Sequence, residues 1–267
     1  MAKGKCNLMK IQTLVSTMNK EDISFLEAMN LKTDVVVGNQ NNRQSLKKYC
    51  IANKNIIFIE SNSKGLSNNR NLTLSYADAD ICIIADDDIV YCDNYDVLVQ
   101  EAFENHSDAD IIIFNVYEKP TERYVIKKAH RVRGLEFLKY GSVRIALRRS
   151  SIINDVVFDE RFGAGGRIPS GEDTIFLADC LKKKKVIYAV PDYILYLPKT
   201  ESSWFKGYDN TYFINKGKMY YRIFGNIAFG VCILDVLKHK SQYAECGNIY
   251  CVLKLMKQGI SEFSKHN

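Results

Sequence analysis

Residues Ile81–Tyr95 read ICIIADDDIVYCDNY. Four apolar residues and an alanine run directly into Asp86-Asp87-Asp88, and the chain then turns apolar again. Three adjacent carboxylates repel one another, so a fold that gathers them at a strand end sets a counter-charge against them. A single Asp suffices to cap a helix. Consecutive oxygen donors suit a hard divalent cation, and Mg²⁺ takes one or two carboxylates and fills its other positions with water and substrate phosphates. The EF-hand calcium pattern is absent. The triplet therefore suits Mg²⁺ or Mn²⁺ holding a nucleotide diphosphate.

The stretches around the triplet set the fold class. Ile11–Val15, Asp34–Gly38, Asn55–Glu60, Ile81–Ala85 and Ile111–Val116 are short, continuous apolar runs. Glu21–Met29, Leu66–Ala77 and Tyr95–Asn105 carry helical spacing between them. Apolar strands separated by helices predict a largely parallel sheet covered on both faces, an α/β fold. Ligands in such sheets sit beyond the C-terminal strand ends. Ser16-Thr17, Asn39-Gln40 and Asp86–Asp88 all fall at such ends and are expected to share one crevice. Further along, Val143–Leu147 and Val186–Val190 read as strands, Phe162–Gly171 as a Gly-rich loop and Glu172–Leu181 as an amphipathic helix.

Composition narrows the class. The chain has 267 residues, 46% hydrophobic and 25% charged, with a net charge of +6, the balance of a soluble globular protein. No repeat or low-complexity segment is present. The first ten residues contain no apolar run of signal-peptide length. The most apolar late stretch, Phe224–Leu237, is too short to cross a bilayer and reads as a buried or interfacial helix. A cytoplasmic protein, or one on the inner face of a membrane, is expected. Eight cysteines without a C-x-x-C pair read as reduced thiols. The basic runs at Lys127–Arg133, Arg148-Arg149 and Lys182–Lys185 are dispersed, which argues against nucleic acid.

Two further motifs carry chemistry. GEDTIFLADC places Glu172-Asp173 at a helix start behind the Gly-rich loop, where a carboxylate serves as a general base toward a hydroxyl. The loop glycines, Gly165 and Gly166 among them, allow close backbone approach to a ligand. KGLSNNRN (Lys64–Asn71) opens a helix with Gly65 and carries Arg70 one turn inside, and arginine suits bidentate contact with phosphate or a base carbonyl.

Together, Gly65–Asn71, Asp86–Asp88, FDERFGAGG (Phe158–Gly166) and Gly171–Asp173 resemble the family 2 glycosyltransferases, inverting enzymes of the GT-A fold, over roughly residues 10–200. The resemblance implies a GT-A catalytic domain over residues 1–200, with a nucleotide-sugar half over about 1–118 and an acceptor half over 119–200. A helical C-terminal extension over 201–267 follows. It further implies Asp88 and Asp86 on the metal, Asp87 on the ribose or metal, and Ser16, Thr17, Gly65 and Arg70 around the nucleotide. Asp173 is then the base that deprotonates the acceptor hydroxyl, with Glu172 beside it. The Asp pair that often follows strand two is replaced by VVVGNQNN, so Asn39 or Gln40 is expected to read the base. A UDP-sugar donor and a saccharide or lipid-linked saccharide acceptor, in surface polysaccharide or glycoconjugate synthesis, complete the expectation. The Q-x-x-R-W motif of processive synthases is absent, which favours single transfer. Gly165, Gly166, Ser203 and Trp204 are candidate acceptor contacts.

A nucleotidyltransferase would place a Gly-rich phosphate loop after strand one, where VSTMNKEDIS has no glycine. A nucleotide- or metal-binding module without catalysis is the other alternative. The tail mixes Trp204, Tyr212, Tyr220, Phe224 and Phe229 with Lys216, Lys218 and Arg222. That mixture suits either packed helices with basic edges or a helix lying on an anionic membrane.

Overall fold

Strands written as uninterrupted apolar runs pair side by side and are covered on both faces. The computed structural model describes residues 8–118, 124–197, 207–243 and 248–265. Its strands are β1 (Ile11–Met18), β2 (Asp34–Gln40), β3 (Ser45–Ile51), β4 (Lys54–Ser61), β5 (Ile81–Asp86), β6 (Val90–Tyr91), β7 (Ile111–Glu118), β8 (His130–Arg131), β9 (Ile145–Arg148) and β10 (Ile187–Leu197). They form one sheet in the order β3-β4-β2-β1-β5-β9-β7-β10-β6, with β8 on β10. The pairs β4–β2, β2–β1, β1–β5 and β7–β10 are parallel, and β9 runs antiparallel between β5 and β7.

The helices are α1 (Leu66–Tyr76), α2 (Tyr95–Asn105), α3 (Arg149–Ile152), α4 (Glu172–Lys182), α5 (Asn210–Phe224), α6 (Ala228–Lys238), α7 (Lys240–Tyr243) and α8 (Ile249–Ser264). Side chains alternate across the sheet. Val36 and Ile84 therefore meet Leu74 of α1 and Ile175 and Phe176 of α4 on one face. Val35, Val37 and Ile83 meet Tyr95, Val99 and Phe103 of α2 on the other. The α/β architecture expected from the sequence is the one observed, but the sheet is mixed and not largely parallel, since β3, β6, β8 and β9 pair antiparallel with their neighbours.

Three elements differ from expectation. Glu21–Met29 contains only a six-residue 3₁₀ helix, Ser24–Met29, which Asn30 ends in the left-handed region with φ 54°. β3 has no apolar signature because it is an edge strand with mostly exposed side chains, Lys47 and Lys48 among them, and outward lysines keep such an edge from pairing with another chain. The strand expected at Val186–Val190 continues to Leu197, with register shifts after Ala189 that absorb Pro191.

The C-terminal helices are joined to the sheet layer. Ile223 of α5 and Phe263 of α8 belong to the same core as α4. Arg222 reaches from α5 to Asp159 at 2.7 Å and to Asp179 of α4 at 2.7 Å. Hydrogen bonds from Arg161 and Arg222 hold the Asp159 carboxyl down at about 2, where its burial alone would raise it. Among the described residues every cysteine is a free thiol.

α5 and α8 cross through glycines: a Cβ on Gly217 would collide with the Met256 carbonyl, and one on Gly259 with the Ile214 carbonyl. Backbone offers no rotamer to move aside, so overpacking costs about 1–3 kcal/mol. Gly217→Ala should destabilise the protein by that amount in urea unfolding. Unchanged stability would contradict the close crossing.

Candidate active site

The chain leaves β1 through β2 and β4 on one side and returns to β5 on the other. This is a topological switch point, and crevices for ligands form beyond the strand ends there. The register sets Ser16 beside Asp86, Thr17 beside Asn39 and Met18 beside Gln40. Two of the expected polar patches, Ser16-Thr17 and the aspartates, thus share the mouth between β1 and β5. Thr17 Oγ1 donates to Asp87 Oδ2 at 2.6 Å, and Lys20 Nζ lies 2.9 Å from the same oxygen. The Ser16 hydroxyl is buried, with no hydrogen-bond partner among the described residues. Asp88 is the exposed member of the triplet.

Arg70 is at the centre. It projects from the second turn of α1 and is 1% exposed. Its guanidinium donates to Asp86 Oδ1 at 3.0 Å, Glu172 Oε1 at 2.9 Å and Ser142 Oγ at 2.8 Å. One cation thus joins the end of β5, the first turn of α4 and the segment before β9. The Gly-rich loop closes over this junction. Leu66 N donates to Ala164 O at 2.8 Å, and Ser67 Oγ donates to Phe162 O at 2.6 Å. Gly163, at φ 104°, lies against Ser67 and Glu172 where a side chain would crowd both.

Asp173 is partly buried beside Glu172. Its Oδ1 accepts from Thr174 N at 2.6 Å. Burial holds its carboxyl above the ordinary Asp range, against the pull of Arg70 and the Thr174 amide. Glu172 is pushed up to about 7 by burial first and by the Asp173 charge second, with Arg70 pulling the other way. The main physical cause is burial, and for Glu172 the neighbouring Asp173 charge adds to it, while the one guanidinium of Arg70 offsets only part of the rise.

Several residues take other places than the sequence suggested. Arg70, expected to face the nucleotide, turns its terminal nitrogens inward onto Asp86, Glu172 and Ser142. Asn39 is fully buried: its Nδ2 donates to Lys20 O at 2.7 Å and its Oδ1 accepts from Lys20 N at 3.0 Å. It therefore pins the loop after β1 instead of meeting a base. Gln40 Nε2 donates to Ser63 O at 3.1 Å and Gly65 O at 3.0 Å, which fixes the entry to α1. Gly65, at φ 98°, packs backbone to backbone against Gly165 and Gly166. These three glycines hold the loop on α1, and Gly165 alone of them is exposed. Ser203 and Trp204 lie outside the described residues.

Three features were missed by sequence reasoning. Lys20 and Ser142 carried no motif, and only their contacts mark them. At the C-terminal ends of β7 and β10, Tyr117 stacks on Tyr193 at 4.3 Å and on Tyr196 at 4.7 Å. Tyr196 pairs with Val90, two residues past Asp88. Scattered tyrosines in sequence gave no sign that they would meet.

This arrangement of sheet, aspartate turn and carboxylate-bearing helix is that of a GT-A glycosyltransferase. The chain matches the glycosyl transferase family 2 profile over residues 26–164, just over half its length, and belongs to that family. Among solved structures it is similar to S. aureus TarS 1–349, with a TM-score of 0.59 at 13% identity, covering 97% of this chain and 92% of that one. The same fragment in complex with UDP-GlcNAc aligns with a TM-score of 0.60 at 14% identity over 97% and 93% of the two chains. Against a longer TarS chain the TM-score is 0.61 at 14% identity, and this chain covers 55% of it. These likenesses show the fold. No curated protein matches the sequence.

The elevated Glu172 carboxyl has a measurable consequence. Its folded value of about 7 lies above the ordinary 4.5, so the folded state binds the proton more tightly. The stability it contributes is full below about pH 4.5 and is lost as pH rises through about 7. Glu172→Gln should remove this slope, so that the stability difference from wild type changes steadily between those pH values in denaturant titrations. A pH-independent difference would contradict the assignment.

Proposed function

We propose that this glycosyltransferase moves a hexose from a nucleotide-diphosphate sugar to an acceptor hydroxyl in one displacement with inversion. The observation that carries the reading is the Arg70 junction, which sets Asp86 of the β1–β5 mouth and Glu172 of α4, the neighbour of Asp173, on one guanidinium. Donor and base chemistry then share one opening.

On this reading the residues act as follows. The Ser16 hydroxyl, buried and without a partner among the described residues, is available to a nucleotide atom. Lys20 and Thr17, gathered on Asp87, border the donor. Asp173 takes the proton of the acceptor hydroxyl as that oxygen bonds to the anomeric carbon. The bond from that carbon to the diphosphate oxygen breaks on the opposite face, and the electron pair leaves with the diphosphate. The raised carboxyl of Asp173 makes it a stronger base than an ordinary aspartate. Glu172 is a positioning residue that acts through Arg70.

The aspartates fit a divalent cation. Asp86 and Asp87 face Arg70, Thr17 and Lys20, and Asp88 is the most exposed of the three. A hard ion such as Mn²⁺ or Mg²⁺ needs only one or two carboxylates when phosphate and water supply the rest. Asp88, with Asp86, would hold it. When bound, it would neutralise charge on the departing diphosphate.

UDP is the nucleotide we favour, since S. aureus TarS, which shares the fold, was solved with UDP-GlcNAc. A saccharide acceptor suits the stacked Tyr117, Tyr193 and Tyr196 beside the aspartate turn, whose ring faces match the C–H face of a pyranose. Such an acceptor places the enzyme in polysaccharide or glycoconjugate synthesis.

Asp173→Asn should lower transfer by a factor of about 10² or more, the scale of general-base assistance. It should leave intact the thermal stabilisation by the nucleotide sugar with Mn²⁺. Near-full activity in a folded Asp173→Asn protein would rule out the base. No metal-dependent stabilisation by any nucleotide sugar would rule out the donor class.

A further inference from the structure

α6 is apolar on both faces. Ala228, Val231, Cys232 and Val236 are buried against α5 and α8. The opposite side carries Phe229, Ile233, Leu234 and Leu237, which are 36–61% exposed, and Ile227 just before the helix is 68% exposed. At 100° per residue these positions fall on one stripe. A helix that is hydrophobic all round is normally buried all round, and a contiguous exposed apolar stripe marks a contact surface.

The rim of the stripe is basic. Lys257 of α8 lies 5.7 Å from the centre of the Phe229 ring. Lys254 is one turn earlier on α8, and Lys238 and Lys240 follow the stripe at its far end; all four are exposed. The other cations of this region are spent internally: Lys216 pairs with Asp235 at 2.9 Å, Lys218 with Glu262 at 2.8 Å and Arg222 with Asp179 at 2.7 Å. The rim lysines have no carboxylate partner among the described residues.

We propose that α6 docks on an anionic lipid surface, with Phe229, Ile233, Leu234 and Leu237 entering the interface and Lys238, Lys240, Lys254 and Lys257 meeting the headgroups. The physics is that of an interfacial helix, where buried apolar area and attraction to anionic lipid add together. Each juxtamembrane lysine contributes about 1 kcal/mol. A second copy of the chain is disfavoured as the occupant, because a two-fold contact sets the same patch against itself and would face the lysines with lysines. Asn210–Lys238 is long and apolar enough by composition to cross a bilayer. Its α5 half instead packs on α8 and α4, which leaves α6 to lie along the surface.

The test is co-flotation of the full chain with vesicles of phosphatidylcholine containing phosphatidylglycerol, compared with pure phosphatidylcholine. The expected result is binding to the anionic vesicles that falls at least tenfold in pure phosphatidylcholine and falls again with added salt. Leu234→Glu with Leu237→Glu should abolish it without lowering the melting temperature. Lys254→Glu with Lys257→Glu should weaken it at least tenfold. Absence of wild-type binding, or unchanged binding by the Leu234/Leu237 variant, would overturn the proposal. So would a dimer in sedimentation that the same leucine changes convert to monomer, since the stripe would then be an interface between copies.

Discussion

The fold turns on one buried guanidinium. Arg70 sits in the second turn of α1 and satisfies Asp86 at the end of β5 and Glu172 at the start of α4 at once. A buried ion pair contributes little net stability, but removing one partner leaves uncompensated charge and is strongly destabilising. The arrangement therefore enforces geometry more than it adds stability. It allows α1, β5 and α4 only one mutual placement, and that placement brings the aspartate turn and the α4 carboxylates to the same opening.

The same constraint explains the acid–base character of the site. Glu172 and Asp173 are buried in a partly dry junction, so their protons are held more tightly than in water. Burial raises both carboxyls, and the Asp173 charge raises Glu172 further, while Arg70 pulls each of them down. The Gly-rich loop seals the junction from above, because Gly163 fits where a side chain would strike Ser67 and Glu172. Motif, loop and helix are thus one device.

Much of this was legible in the sequence. The parallel strands announced themselves because both of their faces are buried, which leaves no polar alternation to confuse the reading. Asp86–Asp88 and Glu172-Asp173 stood out because clustered charge next to apolar runs needs a cause, and the structure sets Asp86 and Glu172 on one guanidinium. The placement of amides and guanidinium was not legible. Asn39, Gln40 and Arg70 stand at the expected strand and helix ends, yet sequence gives position and not the direction in which a side chain turns. Each turned inward, onto the Lys20 backbone, the Ser63 and Gly65 carbonyls, and two carboxylates. β3 was invisible for the opposite reason, since an exposed edge strand buries too little to leave an apolar signature. The α6 stripe was legible only as apolar composition; which face it buries depends on α5 and α8.

The most direct test of the account is a crystal structure of the protein with Mn²⁺ and a bound nucleotide-diphosphate sugar. The diphosphate is expected at the C-terminal ends of β1 and β5, with Asp88 within bonding distance of the metal and Arg70 still bridging Asp86 and Glu172. A nucleotide bound elsewhere, or Arg70 swung out of the junction onto the phosphates, would contradict it.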